Sequence, residues 1–252
     1  MLLQNKIAIV YGAGGAVGSA VARAFAQEGA HVYLAGRTSA SVDALAEEIR
    51  RAGGAADSNQ LDALDEHAVD QHAGAVAARA GGIDISFNAI STGDNQGTPL
   101  AQMGPDELTA PLHRRVITNH LTARAAARYM VPRRSGVILT LTATPAAMAF
   151  PLTGSFGVEC AAVEGMFRTL AGELGPDGIR AFCIRSPGSP DTAGMDNVFD
   201  IHGGRRKLAD LTMLRRLPTL AEVAGFAAML ASDRAGSATG AVADFTAGTT
   251  VG

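Results

Sequence analysis

The sequence predicts an α/β protein: a doubly wound parallel sheet of about seven strands with helices on both faces. Three observations carry that expectation. Strand-like and helix-like segments alternate along all 252 residues, as crossover connections between parallel strands require. The strands are mostly short, uninterrupted apolar runs, the pattern of strands buried on both faces. A glycine-rich turn at 12–18 joins the first strand directly to a helix.

Each element can be justified in order. Ile7, Ala8, Ile9 and Val10 form the first strand. The turn after it carries Gly12, Gly14, Gly15 and Gly18, with Ala16 and Val17 between. Ala16 stands where a third close-approach glycine is often found. Such a turn lets backbone approach a pyrophosphate, whose charge then sits on the N-terminus of the following helix, SAVARAFAQEG. This is the fingerprint of a Rossmann-type nucleotide site, and its position between strand and helix makes it more specific than the glycines alone. HVYLAG (31–36) is a second strand, followed by a helix through ASVDALAEEIRRAG. A polar strand near 55–62 precedes a helix near 65–80. IDISFNA (83–89) is the fourth strand, a long helix covers about 105–131, and GVILTLTA (136–143) is the fifth strand. A small-residue helix spans about 154–174, and IRAFCIRS (179–186) is the sixth strand. Residues 189–217 lack periodicity and carry Pro190, Gly194, Gly203 and Gly204, so they read as a flexible flap over a substrate. A helix at 220–232 and a final strand at 240–248 close the chain, which reads as one domain over 1–252.

Composition excludes several function classes. The chain is 47% hydrophobic but only 5% aromatic, so alanine- and glycine-rich helices can pack closely on the sheet. Net charge is −3, and no basic stretch is longer than pairs such as Arg133-Arg134 and the triplet Arg205-Arg206-Lys207, which argues against nucleic acid. No apolar run reaches the roughly 18 residues that span a bilayer. The N-terminus enters a strand without a charged and then apolar leader, so a cytoplasmic protein with no membrane partner is expected. Cys160 and Cys183 have neither metal-ligand spacing nor a disulfide framework around them, and no metal is expected.

The order of elements and the motifs resemble the short-chain dehydrogenase/reductase superfamily over essentially the whole chain. Its glycine motif corresponds to Tyr11-Gly12 through Gly18, with Tyr11 at the turn's usual threonine, where its hydroxyl is expected to organise the phosphate turn. Asp62, followed by Ala63, matches the aspartate that contacts adenine. Asn88-Ala89-Ile90-Ser91 stands where the family carries Asn-Asn-Ala-Gly beneath the adenosine. Asn119 matches the asparagine of the long helix, and Pro187-Gly188 with Thr192 match the residues that hold the nicotinamide end. The resemblance implies a nicotinamide cofactor and a small-molecule substrate. It also implies a homotetramer or homodimer through the two long helices, where Ala161, Ala162 and Gly165 are small enough for close packing.

Charge at the end of the second strand selects between the two nicotinamide cofactors. An acidic residue there would accept hydrogen bonds from a ribose 2′-hydroxyl and repel a 2′-phosphate. This chain has Gly36-Arg37 followed by Thr38 and Ser39. Arginine presents a planar donor fork to phosphate, so the expected cofactor is NADP(H).

The family's acid–base machinery is altered. The tyrosine position holds Phe156, the lysine position Cys160 and the serine position Ala143, leaving Asn119 of the tetrad. Positioned acid–base assistance contributes about 10²–10⁴ in rate, roughly 3–5.5 kcal/mol of barrier. Its loss matters least for an acceptor that is already cationic, such as an iminium. Thr142 or Thr144 either faces the pocket and bonds substrate or merely closes the strand end. His202 is either solvated or closes over the cofactor, and His120 is read as pointing to another helix face or to an oligomer contact. Cys160 reads as a small buried thiol rather than a nucleophile. Met195 and Phe199 either wall an apolar pocket or pack on the fold. Three functions fit: a reductase of a C=O, C=N or activated C=C bond with a non-standard site, a catalytically inactive NADP(H)-binding or regulatory homologue, or a lyase or isomerase. Turnover of NADPH by an electrophile marks the first, ligand-dependent association without turnover the second, and product formation without net NADPH change the third.

Overall fold

A strand apolar at every position needs cover on both faces, and the first strand has it. The computed structural model describes residues 1–192 and 196–250. Its elements are β1 (Ile7–Tyr11), α1 (Ala16–Gln27), β2 (His31–Gly36), α2 (Ser39–Arg51), β3 (Ala55–Gln60), α3 (Glu66–Ala80), β4 (Ile85–Asn88), α4 (Pro105–Met130), β5 (Gly136–Ala143), α5 (Ser155–Leu174), β6 (Ile179–Ser186), α6 (Asp196–Ile201), α7 (Gly204–Asp210), α8 (Leu220–Ala231) and β7 (Val242–Asp244). The seven strands form one parallel sheet in the order β3-β2-β1-β4-β5-β6-β7. Alternate residues of β1 serve opposite cores. Ala8 and Val10 pack with Val21 and Phe25 of α1, Val42 of α2 and Ala227 of α8. Ile9 and Tyr11 pack with Val69 of α3, Leu121 of α4 and Val163 of α5.

The polar third strand is explained by position. β3 is an edge strand, so Asp57 can pair with His31 at 2.8 Å and with Arg79 at 3.4 Å without being buried. The last strand is shorter than the expected 240–248. Gly240 (φ +69°) and Gly248 (φ +84°) turn the chain at either end of that stretch, and Asp244, the last paired residue of β7, accepts hydrogen bonds from Thr246 and Thr250 beyond it. The 189–217 segment, expected to be irregular, contains α6 and α7. Each is under two turns long, too short to show a 3.6-residue period; Gly203 (φ +88°) lies between them and Gly204 (φ +90°) opens α7. Gly194 and Met195 lie outside the described residues.

Strand order reverses between β1 and β4, which opens a crevice at the carboxyl ends of these strands. The glycine turn makes that crevice possible. Gly12 adopts φ +75°, and a Cβ there would lie 2.7 Å from the Ala89 carbonyl oxygen beyond β4. A Cβ on Gly18 would lie 2.2 Å from the Gly12 carbonyl oxygen, so α1 can start against the turn only with glycine at that position.

Beside the crevice an ionic cluster around Glu164 ties four elements together. Arg185 of β6 donates to both carboxylate oxygens of Glu164 on α5, at 3.0 and 2.8 Å, and pairs with Asp244 at 3.4 Å. Thr142 of β5 adds a 2.9 Å hydrogen bond to Glu164. Removing one member of a buried pair strands the other charge, which costs about 3–5 kcal/mol. Glu164→Ala is expected to lower the thermal unfolding midpoint by on the order of 10 °C, measured by circular dichroism. A shift of a degree or less would mean that Arg185 finds water instead.

Candidate active site

A cleft of about 460 Å³ lies at the carboxyl ends of the central strands. One wall is the turn residues Gly15, Ala16 and Val17 at the start of α1. That helix end has no side-chain cap and no acidic residue in its first turn. Its N–H groups and positive dipole end are therefore not answered by a side chain of its own, as an anion site requires. Gly15 has room around it: an added Cβ would meet only the Gly12 carbonyl oxygen, at 3.4 Å. Gly12 and Gly18 build the turn from behind. Gly14 brings it against α2, where a Cβ would lie 3.0 Å from that of Ser41.

Asn88, Ala89 and Ile90 form the next part of the wall. The Asn88 amide donates to Thr122 Oγ1 of α4 at 3.0 Å, and its Oδ1 accepts from the Ile90 N–H at 3.0 Å. Asn88 thus fixes the end of β4. Beyond the cleft, Arg37 and Thr38 are exposed at the end of β2. Arg37 makes no ion pair among the described residues, and the Thr38 side chain makes no capping bond at the start of α2. Asp62 and Ala63 follow β3, where Asp62 Oδ1 accepts from the Leu64 N–H at 3.0 Å.

Pro187, Gly188 and Thr192 line the opposite end. Ser186 lies beside them with its hydroxyl buried and without a partner among the described residues. A cradle of uncapped amides and close-packed glycines at one end, and an unsatisfied hydroxyl at the other, fit an extended anionic dinucleotide.

The residues that the resemblance matches to the tetrad lie on or behind the wall of the same cleft. Ala143, Phe156 and Cys160 all line it. Burial pushes the Cys160 thiol up to about 11, so the thiolate needed for attack is scarce at neutral pH. Thr142 also lines the cleft, but its hydroxyl is committed to Glu164. Thr144 begins the turn after β5 and contributes to the wall. Asn119 sits behind the wall on α4; its amide donates to the Arg115 carbonyl at 2.9 Å, and its Oδ1 is buried without a partner. The Tyr11 hydroxyl is not at the phosphate turn. The pleat of β1 directs the ring to the α3 side, edge-on to His72 with centroids 5.9 Å apart, and burial raises its pKa.

Several residues that line or support the cleft gave no clear signal in the sequence. Arg115, one helical turn before Asn119, lies 5.3 Å from the Phe156 ring centroid and pairs with Glu159 at 2.8 Å. Glu159 is fully buried and also accepts from Ser155 at 2.7 Å and Thr92 at 3.2 Å. The i, i+4 spacing of Arg115 and Asn119, and a glutamate inside an apolar helix, were the available clues. Asp94, Gln96 and Phe150 come from loops without periodicity. His202, at the end of α6, is buried in the cleft wall; its Nε2 bonds Gln96 Oε1 at 2.9 Å and its ring lies 4.9 Å from that of Phe150. Burial lowers its pKa, with Lys207 adding to the effect. Phe199 is buried and lines the same wall.

A family model described as enoyl-(acyl carrier protein) reductase matches residues 12–250. A short-chain type dehydrogenase/reductase from Mycobacterium ulcerans superposes with a TM-score of 0.91 at 25% identity, covering 99% of this chain and 91% of that one. The chain belongs to the short-chain dehydrogenase/reductase superfamily. An uncharacterized oxidoreductase of Mycobacterium tuberculosis (strain CDC 1551 / Oshkosh) is 31% identical over 249 residues, 98% of this chain and 93% of that protein. The short-chain reductase NovJ of Streptomyces niveus is 29% identical over 94% of this chain and 91% of its own. The superfamily uses nicotinamide cofactors, and oxidoreductase chemistry is the class this member shares with its relatives. Among the described residues, no helix is long and apolar enough to cross a membrane.

Both cysteines are buried and both thiols are shifted upward, chiefly by burial. The native protein at pH 8 is expected to leave both unmodified by a thiol-specific disulfide reagent over minutes, and the denatured protein to release two equivalents. Rapid native labelling of Cys160 would restore it as a candidate nucleophile.

Proposed function

We propose that this chain is an NADP(H)-dependent reductase of a small organic C=O, C=N or activated C=C acceptor, working with a non-standard site. The observation that carries the reading is the continuity of the cleft. The same 460 Å³ space runs from Gly15–Val17 to Thr192 and on to Phe150, Phe156 and His202. A nucleotide held only for structure would not need an apolar chamber beyond its far end.

In this reading Gly12 to Gly18 and the start of α1 hold the pyrophosphate. Arg37 and Thr38 hold the 2′-phosphate, Asp62, Ala63 and Asn88 to Ile90 border the adenosine, and Pro187, Gly188 and Thr192 border the nicotinamide. The reduced cofactor supplies a hydride when bound. Phe156 and Ala143 shape the space in which the acceptor is oriented against it, so catalysis draws on positioning and water exclusion rather than a tyrosine proton. Arg115 takes the place of the missing lysine as the cation of the site, although Glu159 neutralises it. A cytoplasmic homodimer or homotetramer through α4 and α5 belongs to the same reading.

Ala143, Phe156 and Cys160 favour a second reading, a binding or regulatory protein that has lost catalysis. Titration by nicotinamide fluorescence separates the readings. NADPH is expected to bind at least tenfold more tightly than NADH, and Arg37→Ala to erase that preference while leaving NADH binding unchanged. NADPH oxidation by any member of a panel of iminium ions, imines, enones and ketones supports the reductase. Binding without turnover across the panel supports the second reading, and failure to bind either nucleotide sinks both.

A further inference from the structure

Two charged residues line the cleft, Asp94 and Arg115. The Arg115 charge is already met by Glu159, whose carboxylate is fully buried and 2.8 Å away. Asp94 has no partner at contact distance: burial and the Glu159 charge raise its pKa, and the Arg115 charge offsets this only in part. It forms no ion pair among the described residues, and its carboxylate accepts one long hydrogen bond, 3.3 Å from Gln96 Nε2. A carboxylate has roughly four acceptor sites, so most of its capacity faces the cleft. The cleft it lines is walled in part by Phe150, Phe156, Phe199, Leu208 and Leu211. His202 adds no positive charge near neutral pH, because burial and Lys207 hold its pKa down.

The hydrogen bonds around Asp94 also hold it in place. With Gln96 Nε2 donating to Asp94, Gln96 Oε1 is the acceptor for the N–H at His202 Nε2. The chain His202–Gln96–Asp94 therefore links the end of α6 to the loop after β4 and aims the carboxylate from a braced position. The cleft thus carries one negative charge without a partner at contact distance, and walls that are in part apolar, the complement of a lipophilic cation rather than of an anion or a sugar.

We infer that Asp94 is the counter-ion of a cationic nitrogen substrate, an iminium in the reductive direction and a hydrophobic amine in the oxidative one. This deepens the reductase reading and, as to substrate, rests on it. It also accounts for the absent proton donor. A cationic C=N acceptor gains hydride at carbon, its π pair returns to nitrogen, and a neutral amine forms with no proton to be supplied. The reductant is the reduced nicotinamide already proposed.

The test compares benzyltrimethylammonium, a fixed cation, with its neutral carbon isostere neopentylbenzene, by ligand-observed NMR titration of the full chain with and without NADPH. The wild type is expected to bind the cation at least tenfold more tightly, about 1.4 kcal/mol. Asp94→Asn should abolish that preference without changing NADPH affinity, and Asp94→Glu should retain it. Equal binding of the two probes by the wild type, or a preference that survives in Asp94→Asn, overturns the inference. Failure of the reductase reading looks different. The cation preference would depend on Asp94 while a cyclic iminium left NADPH unoxidised, so Asp94 would be a cation-binding residue of a non-catalytic protein.

Discussion

The contact between the first glycine turn and the end of β4 is the constraint on which the rest of the molecule depends. Gly12 approaches the Ala89 carbonyl so closely that a Cβ would stand 2.7 Å away, and Gly18 packs over Gly12 more closely still. These approaches let β1 and β4 lie side by side while their connections leave in opposite directions around the sheet. The crevice at their carboxyl ends follows from that arrangement, and so does the uncapped start of α1 that forms one of its walls. Interiors pack too densely to absorb a methyl group there without moving backbone.

On this frame the charged groups of the site are largely met within the fold. Cys160 lines the cleft as a buried thiol, and burial keeps that thiol protonated, so it supplies no charge of its own. The cation nearby comes instead from α4, as Arg115, which draws its counter-charge from Glu159, the residue preceding Cys160. A fully buried carboxylate is tolerated only when its lone pairs are taken up, and Ser155, Thr92 and Arg115 do this for Glu159. The second buried cluster, Glu164 with Arg185 and Thr142, likewise occupies a hydroxyl at the cleft edge. Ser186, Thr144 and Asp94 are among the polar residues that line the cleft with apolar side chains.

Much of this was legible in the chain. Uninterrupted apolar strands, the glycine spacing and the alternation of elements predicted the seven-stranded doubly wound sheet, because period and glycine content are local consequences of burial and close approach. Spacing along β5 and α5 also singled out Ala143, Phe156 and Cys160, which the fold places along one cleft. Tyr11 was misread because its residue type was weighed against the turn, whereas the pleat of β1 decides its direction. The helices α6 and α7 were missed because so short a segment carries no measurable period.

The sequence by itself determined the fold class, the close-packed glycine turn and the basic residue, Arg37, at the end of β2. Each of these is written in neighbouring residues or in a fixed offset. Only tertiary structure decided which charges in the cleft cancel and which do not. Arg115 and Glu159 are 44 residues apart, and His202 reaches Gln96 across 106. Such pairings arise when the sheet brings α4, α5 and two irregular loops to one edge, and no local pattern encodes the distance between them. The unanswered carboxylate of Asp94 is a property of that assembly: its charge is visible in the chain, but its lack of a partner is decided by the fold.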